Sequence, residues 1–143
     1  MKYFSFSELE RSVVAQFQDI DNTMPLLVRT SAEAFVDGVL DPLREAFGAP
    51  LVVSSGYRCE ALNRLVGGSP SSQHLLGTAA DISAVNPADN RRLWELIGKG
   101  TVDFDQAILY GDYRFVHIGW RRTGKNRRQM LVRNTPGAAY RQD

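Results

Sequence analysis

Cysteine is almost absent from this chain. Cys59 stands alone, so no internal disulfide can form, and nothing in the sequence asks for an oxidising compartment. Histidine is scarce as well: His74 and His117 are the two in 143 residues. No apolar run approaches the ~20 residues of a membrane-spanning helix. The stretch from Met1 to Arg11 lacks the apolar core of a signal peptide, which reads as a chain that is cytoplasmic at synthesis. Acidic residues vanish between Tyr113 and Gln142, where eight Arg and Lys fall; all 16 acids and only nine bases lie elsewhere. Such a basic C-terminal quarter can attract an anionic partner, or it can be a solvated hairpin and tail. There is no internal repeat and no low-complexity segment.

What is present is an ordinary globular composition, 43% hydrophobic and 23% charged. The length suits one domain spanning 1–143, with a core over about 3–133 and a flexible tail over 134–143. Ser7 followed by Glu10 predicts a capping box and a short helix. Apolar residues at helical spacing from Leu27 to Phe47 predict a longer helix, kinked or restarted at Pro42 with Asp41 as cap and ended by Gly48. Glu60 to Val66 reads as a turn or two of helix. Asn86-Pro87 predicts another helix start, burying Leu93, Trp94 and Ile97. Strands are expected over Leu51 to Ser54, Thr78 to Ala84, Phe104 to Tyr110, Arg114 to Trp120 and Arg128 to Arg133. Hairpin links are expected at Gly111-Asp112 and at Thr123 to Asn126. Helices first and strands last predict an α+β fold, an antiparallel sheet with helices on one side.

Both histidines sit where a ligand could. His74 ends a Gly/Ser loop, and Asp81 follows seven positions later across Gly77, Ala79 and Ala80, small residues that let backbone pack closely. His117 lies mid-strand, and alternation puts it on one face with Phe115 and Gly119 while Val116, Ile118 and Trp120 take the other. Two histidines and one carboxylate with a fourth position open is a catalytic zinc pattern.

The blocks Ser54-Ser55-Gly56-Tyr57-Arg58, Ser72-Gln73-His74 through Asp81, and Phe115-Val116-His117-Ile118-Gly119 resemble the zinc D-Ala-D-Ala carboxypeptidase family, which also holds D,D-dipeptidases and phage L-Ala-D-Glu endolysins. The middle block fits the signature Ser-x-His-x-x-Gly-x-Ala-x-Asp at every fixed position. A looser likeness runs from the N-terminus to about Arg122. The resemblance implies a hedgehog-like fold and a Zn2+ ion on His74, Asp81 and His117, a metal site shared with lysostaphin-type endopeptidases. It implies an arginine, Arg58, that steadies substrate and transition-state charge, and a substrate-side serine, Ser72. Gln73 is expected to serve the loop's own hydrogen bonding, and Cys59 to be a small buried residue.

The chain departs from the family at the general base. Arg114 stands three residues before His117, where many relatives carry an acid; Leu109 and Tyr110 stand where a close subgroup has an acidic pair. Asp112, five residues before His117, is the nearest carboxylate left, and Asp105 is a second. The expected function is zinc-dependent hydrolysis of an amide bond in peptidoglycan stem peptides by a monomer, with release to the cell wall as the route to its substrate. The alternative is a zinc-containing peptidoglycan-binding module without catalysis. Nucleic acid is not the expected partner, since no aromatic residues interleave with the bases in a known motif.

Overall fold

Buried and open positions alternate along the first strand and through much of the second and fourth in the computed structural model, which describes residues 1–135 and 137–143. In chain order the strands are Leu51–Ser55 (β1), Ala79–Ala84 (β2), Gln106–Tyr110 (β3), Phe115–Gly119 (β4), Gln129–Arg133 (β5) and Arg141–Gln142 (β6). They form one sheet in the order β1-β2-β4-β3-β5-β6. Every neighbouring pair is antiparallel except β3 and β5, which run parallel. The α+β architecture is as expected, but the second expected hairpin is not formed. Strand β4 already lies between β2 and β3, so both its ladders are filled and the chain crosses to the open edge of β3 instead. Asn126 holds that crossing by accepting from Arg121 N at 2.8 Å and donating to Arg121 O at 3.1 Å. The last residues, read from sequence as a tail, add β6 to β5, and Trp94 Nε1 donates to Asp143 Oδ2 at 2.7 Å.

Helices form where caps and apolar stripes allow. Phe6–Glu10 (α1) is capped two residues earlier than expected: Ser5 Oγ accepts from Glu8 N at 3.2 Å, so Ser5 and Glu8 make the capping pair. Val13–Phe17 (α2) is capped by Ser12. Leu26–Phe35 (α3) and Asp41–Phe47 (α4) are joined by a π-helical turn over Val36–Leu40. Pro42 has no N–H to give to the preceding turn, and the wider turn absorbs that gap without breaking the run. Asp41 is therefore helical rather than a cap; its carboxylate instead accepts from the backbone of Lys2 and Tyr3, fastening the N-terminus to this helix. Glu60–Leu65 (α5) and Asn90–Gly98 (α6) complete the set, the latter behind a short turn in which Asn86 accepts from Ala88 N.

The core lies between the long helical run, α6 and one face of the sheet. Phe35, Val39 and Leu43 meet Leu93 and Ile97 above Ile82, Val116 and Ile118, all fully buried. Each such side chain contributes roughly 1.5–3 kcal/mol by leaving water. Because side chains alternate along a strand, filling that face with Ile82, Val116 and Ile118 sends Asp81 and His117 to the opposite face. Among the described residues, no helix is long and apolar enough to cross a membrane.

Candidate metal centre and its groove

Asp81 and His117 are directly paired across β2 and β4, which sets their side chains shoulder to shoulder. Asp81 Oδ1 lies 3.0 Å from His117 Nδ1 and 3.3 Å from His74 Nε2. One ligand atom from each of the three residues lies within 4.8 Å of the others.

His74 is brought there by a single helical turn, Gln73–Leu76, whose cap Ser72 accepts from His74 N at 3.2 Å. The loop is laced to the segment after β1 in both directions. His74 Nδ1 bonds Gly56 O at 2.6 Å, and Arg58 N donates to His74 O at 3.1 Å. Gly56 is needed because a Cβ there would stand 2.6 Å from Leu9 O. A register shift between Val53 and Ser55 turns β1 toward the site at that point.

The donor chemistry suits a cation. Gly56 O can only accept, so His74 Nδ1 carries the proton and Nε2 presents a lone pair to a carboxylate oxygen, acceptor against acceptor. Burial pushes His74 below its ordinary pKa, so it is not protonated to relieve that meeting. Donors each about 2.0–2.2 Å from one tetrahedral ion sit roughly 3.3 Å apart, which matches the spacing here. A backbone carbonyl on the far nitrogen of a ligating histidine is the usual outer support of such a site.

Arg58 Nη2 stands 3.5 Å from Asp81 Oδ2. Its guanidinium is aimed by Ser55 Oγ, which accepts from Nε at 3.0 Å, and by Asn63 Oδ1, which accepts from Nη1 at 3.2 Å. Arg58, Ser72, His74, Asp81 and His117 line one groove of about 600 Å³. Asp112 does not line it; it sits in the turn after β3, beside two other hollows. Among the described residues lining the groove, Asp81 is the one carboxylate. Tyr110, at a position where an acid was expected, lines the groove stacked on Phe115, ring centroids 4.7 Å apart. Burial raises its pKa, so it stays a phenol at neutral pH.

Asp105 is filled rather than reactive. It is 1% exposed, and Arg127 grips it through N, Nε and Nη2, each at 3.0 Å. Arg121 Nε adds a contact at 3.1 Å, and Gln73 Nε2 donates to Oδ2 at 3.1 Å. Burial would raise this carboxyl, but the Arg127 hydrogen bonds and the two guanidinium charges hold it at about 2. Gln73 thus does more than serve its own loop. Its Oε1 lies 2.1 Å from where a Cβ on Gly119 would be, and that Cβ would also be 3.4 Å from His117 Nε2. Gly119 leaves the space that the amide takes beside the imidazole.

The family model of Peptidase M15 matches residues 2–119. The chain belongs to that family. It is a metallopeptidase by that membership and by the His-Asp-His cluster it carries. The match ends with β4, so His74, Asp81 and His117 fall inside it and the Arg121 and Arg127 partners of Asp105 fall beyond it. No curated protein matches the chain. Arg127 is a groove residue to which sequence reasoning gave no role, and Gln73 was expected only to serve its own loop. The one signal for Arg127 was a basic run, and its partner Asp105 lies 22 residues away.

Proposed function

We propose that this protein hydrolyses an amide bond in peptidoglycan stem peptides, with Zn2+ held by His74, Asp81 and His117. The observation that carries the reading is the meeting of two imidazole nitrogens on one carboxylate oxygen at 3.0 and 3.3 Å, with His74 fixed as a lone-pair donor by Gly56 O. Zinc, when bound, supplies a Lewis acid and lowers the pKa of a bound water to about 7. Arg58, already aimed by Ser55 and Asn63, is suited to hold the negative charge that develops on the scissile carbonyl oxygen. The Ser72 hydroxyl accepts from His74 N and keeps its own proton to give to a substrate carbonyl. Tyr110, a neutral phenol in the groove, can donate but not take up a proton at neutral pH.

The basic C-terminal quarter does not favour nucleic acid. Arg121 and Arg127 hold Asp105, Arg128 pairs with Asp103, and Arg133 binds Ala138 O and Tyr140. Three of the eight bases are thus tied to acids within the chain rather than arrayed for phosphates.

The alternative, a zinc-containing module that binds peptidoglycan without cutting it, is favoured by one observation: the groove lining offers no second carboxylate to take a proton. Metal analysis of protein purified without chelator, run beside a digest of intact peptidoglycan, separates the two. About one zinc per chain with new amine termini in the digest supports hydrolysis. Zinc with sacculus binding and no new termini supports the module. A protein that stays metal-free in excess zinc overturns both.

A further inference from the structure

We propose that Arg127 is a second anion-binding residue of the groove, which recognises a free carboxylate on the peptide substrate and is held ready for it by buried Asp105. The inference rests on the groove being a peptide site, as argued above.

Arg127 is built as a fixed cation rather than a solvated one. Its Nε and Nη2 form a two-pronged grip on both oxygens of a carboxylate that is 1% exposed, and its own backbone N–H binds the same group. Such a fork sets the plane of the guanidinium and removes the rotamer freedom that binding a ligand would otherwise cost. The side chain is nonetheless 49% exposed and lines the groove with His74, Asp81 and His117. With the Nε edge on Asp105, the outer Nη1 has no protein partner among the described residues. Arg121 shares Asp105, so two guanidiniums face one carboxylate and the rim keeps a net positive charge.

The sheet order places this cation across the groove from Arg58. Arg58 contacts Asp81 on β2, whereas Arg127 enters just ahead of β5, beyond β4 and β3. The Arg127 guanidinium is held on Asp105, just ahead of β3, and β4 alone stands between β3 and β2; two strand spacings are roughly 10 Å, the span of about three extended residues. A peptide lying across the strands over His117 can therefore meet a guanidinium at each side. Planar bidentate recognition suits a carboxylate better than a neutral amide.

Calorimetry with the whole metal-loaded chain of 143 residues tests this on one peptide in two forms: L-Ala-γ-D-Glu-L-Lys-D-Ala-D-Ala with free carboxylates, and the same peptide with its carboxylates amidated. Wild type should bind the acid form about tenfold or more tightly. Arg127→Gln should lose most of that preference by weakening the acid form while leaving the amide within about twofold. Arg127→Lys, which keeps the charge and protects against an unfolded result, should fall between. Equal weakening of both forms, an unchanged preference in Arg127→Gln, or no preference in wild type overturns the proposal. Turnover is scored separately. A wild type with an Arg127-dependent preference that cuts nothing sinks the hydrolysis reading alone. A wild type that cuts, with a preference indifferent to Arg127, sinks this one alone.

Discussion

Asp81 and Asp105 are carboxylates withdrawn from water in neighbouring parts of the same sheet, 13% and 1% exposed at the side chain. Around Asp105 every approach is a donor: three from Arg127, one from Arg121 and one from Gln73. Around Asp81 stand two imidazoles, one of them held with its lone pair forward, and a guanidinium at the longer distance of 3.5 Å. Burial is common to both, so burial does not mark the functional one. What differs is whether the protein itself completes the charge. Asp105 is a closed tie, and Asp81 belongs to a candidate metal site, which we propose a cation from outside completes.

The sharpest way to break that contrast is to remove a ligand on one side. His117→Ala should take metal content from about one per chain to none. Turnover should fall beyond the roughly 10–100-fold that losing an outer support of a metal costs. Full metal content in that variant would move the site elsewhere.

On the other side, Asp105→Asn should leave metal content intact and weaken the fold. Breaking a buried ion pair costs about 3–5 kcal/mol. Here the guanidiniums can reach water, so about 2–3 kcal/mol is expected in urea denaturation. A loss of metal without loss of stability would make Asp105 part of the centre and erase the contrast.

Arg58→Lys sharpens the comparison within the groove. Turnover should drop about tenfold or more because an ammonium cannot keep the fork on Ser55, Asn63 and substrate together, while metal content stays unchanged.

Acid titration reads Asp105 directly. Its folded pKa of about 2 lies below the ordinary 3.8, so its stabilisation is complete above pH ~4 and is lost as pH falls through ~2. With half-exposed arginine partners the amount is about 1–2 kcal/mol. Wild type should lose that much more stability than Asp105→Asn between those limits, and parallel curves would contradict the assignment.

The smallest effect is expected at Asp112. Lying in the turn after β3 and outside the groove, its change to Asn should leave turnover within about twofold. A fall of ~100- to 10,000-fold, the range of a general base, would instead make it the proton acceptor.

Several of these features could be read before any fold was known. The strand around His117 was legible because Val116 and Ile118 alternate with it, and period-two burial is a local property. The Ser72 to Asp81 block was legible because a loop, a tight turn and a strand supply its residues within ten positions. The cap at Ser5 was missed in favour of Ser7, since both serines stand three residues before a glutamate and only packing chooses between them. The second hairpin was misread because Thr123 to Asn126 carries turn chemistry whether the next strand folds back on β4 or crosses to β3.

The sequence by itself determined the α+β class, the alternation that turns Asp81 and His117 away from the core, and the spacing of the candidate metal-site block. Each depends on neighbours within a few residues, where backbone geometry is fixed by local sterics and periodicity. The parallel placement of β5, the filling of Asp105 by Arg127, and the arrival of Arg127 and Arg133 at the edge of the groove were decided by tertiary structure. They depend on which sheet edge was left open and which buried charge lacked a partner. Both are properties of the assembled fold, and in the chain the two partners stand 22 residues apart.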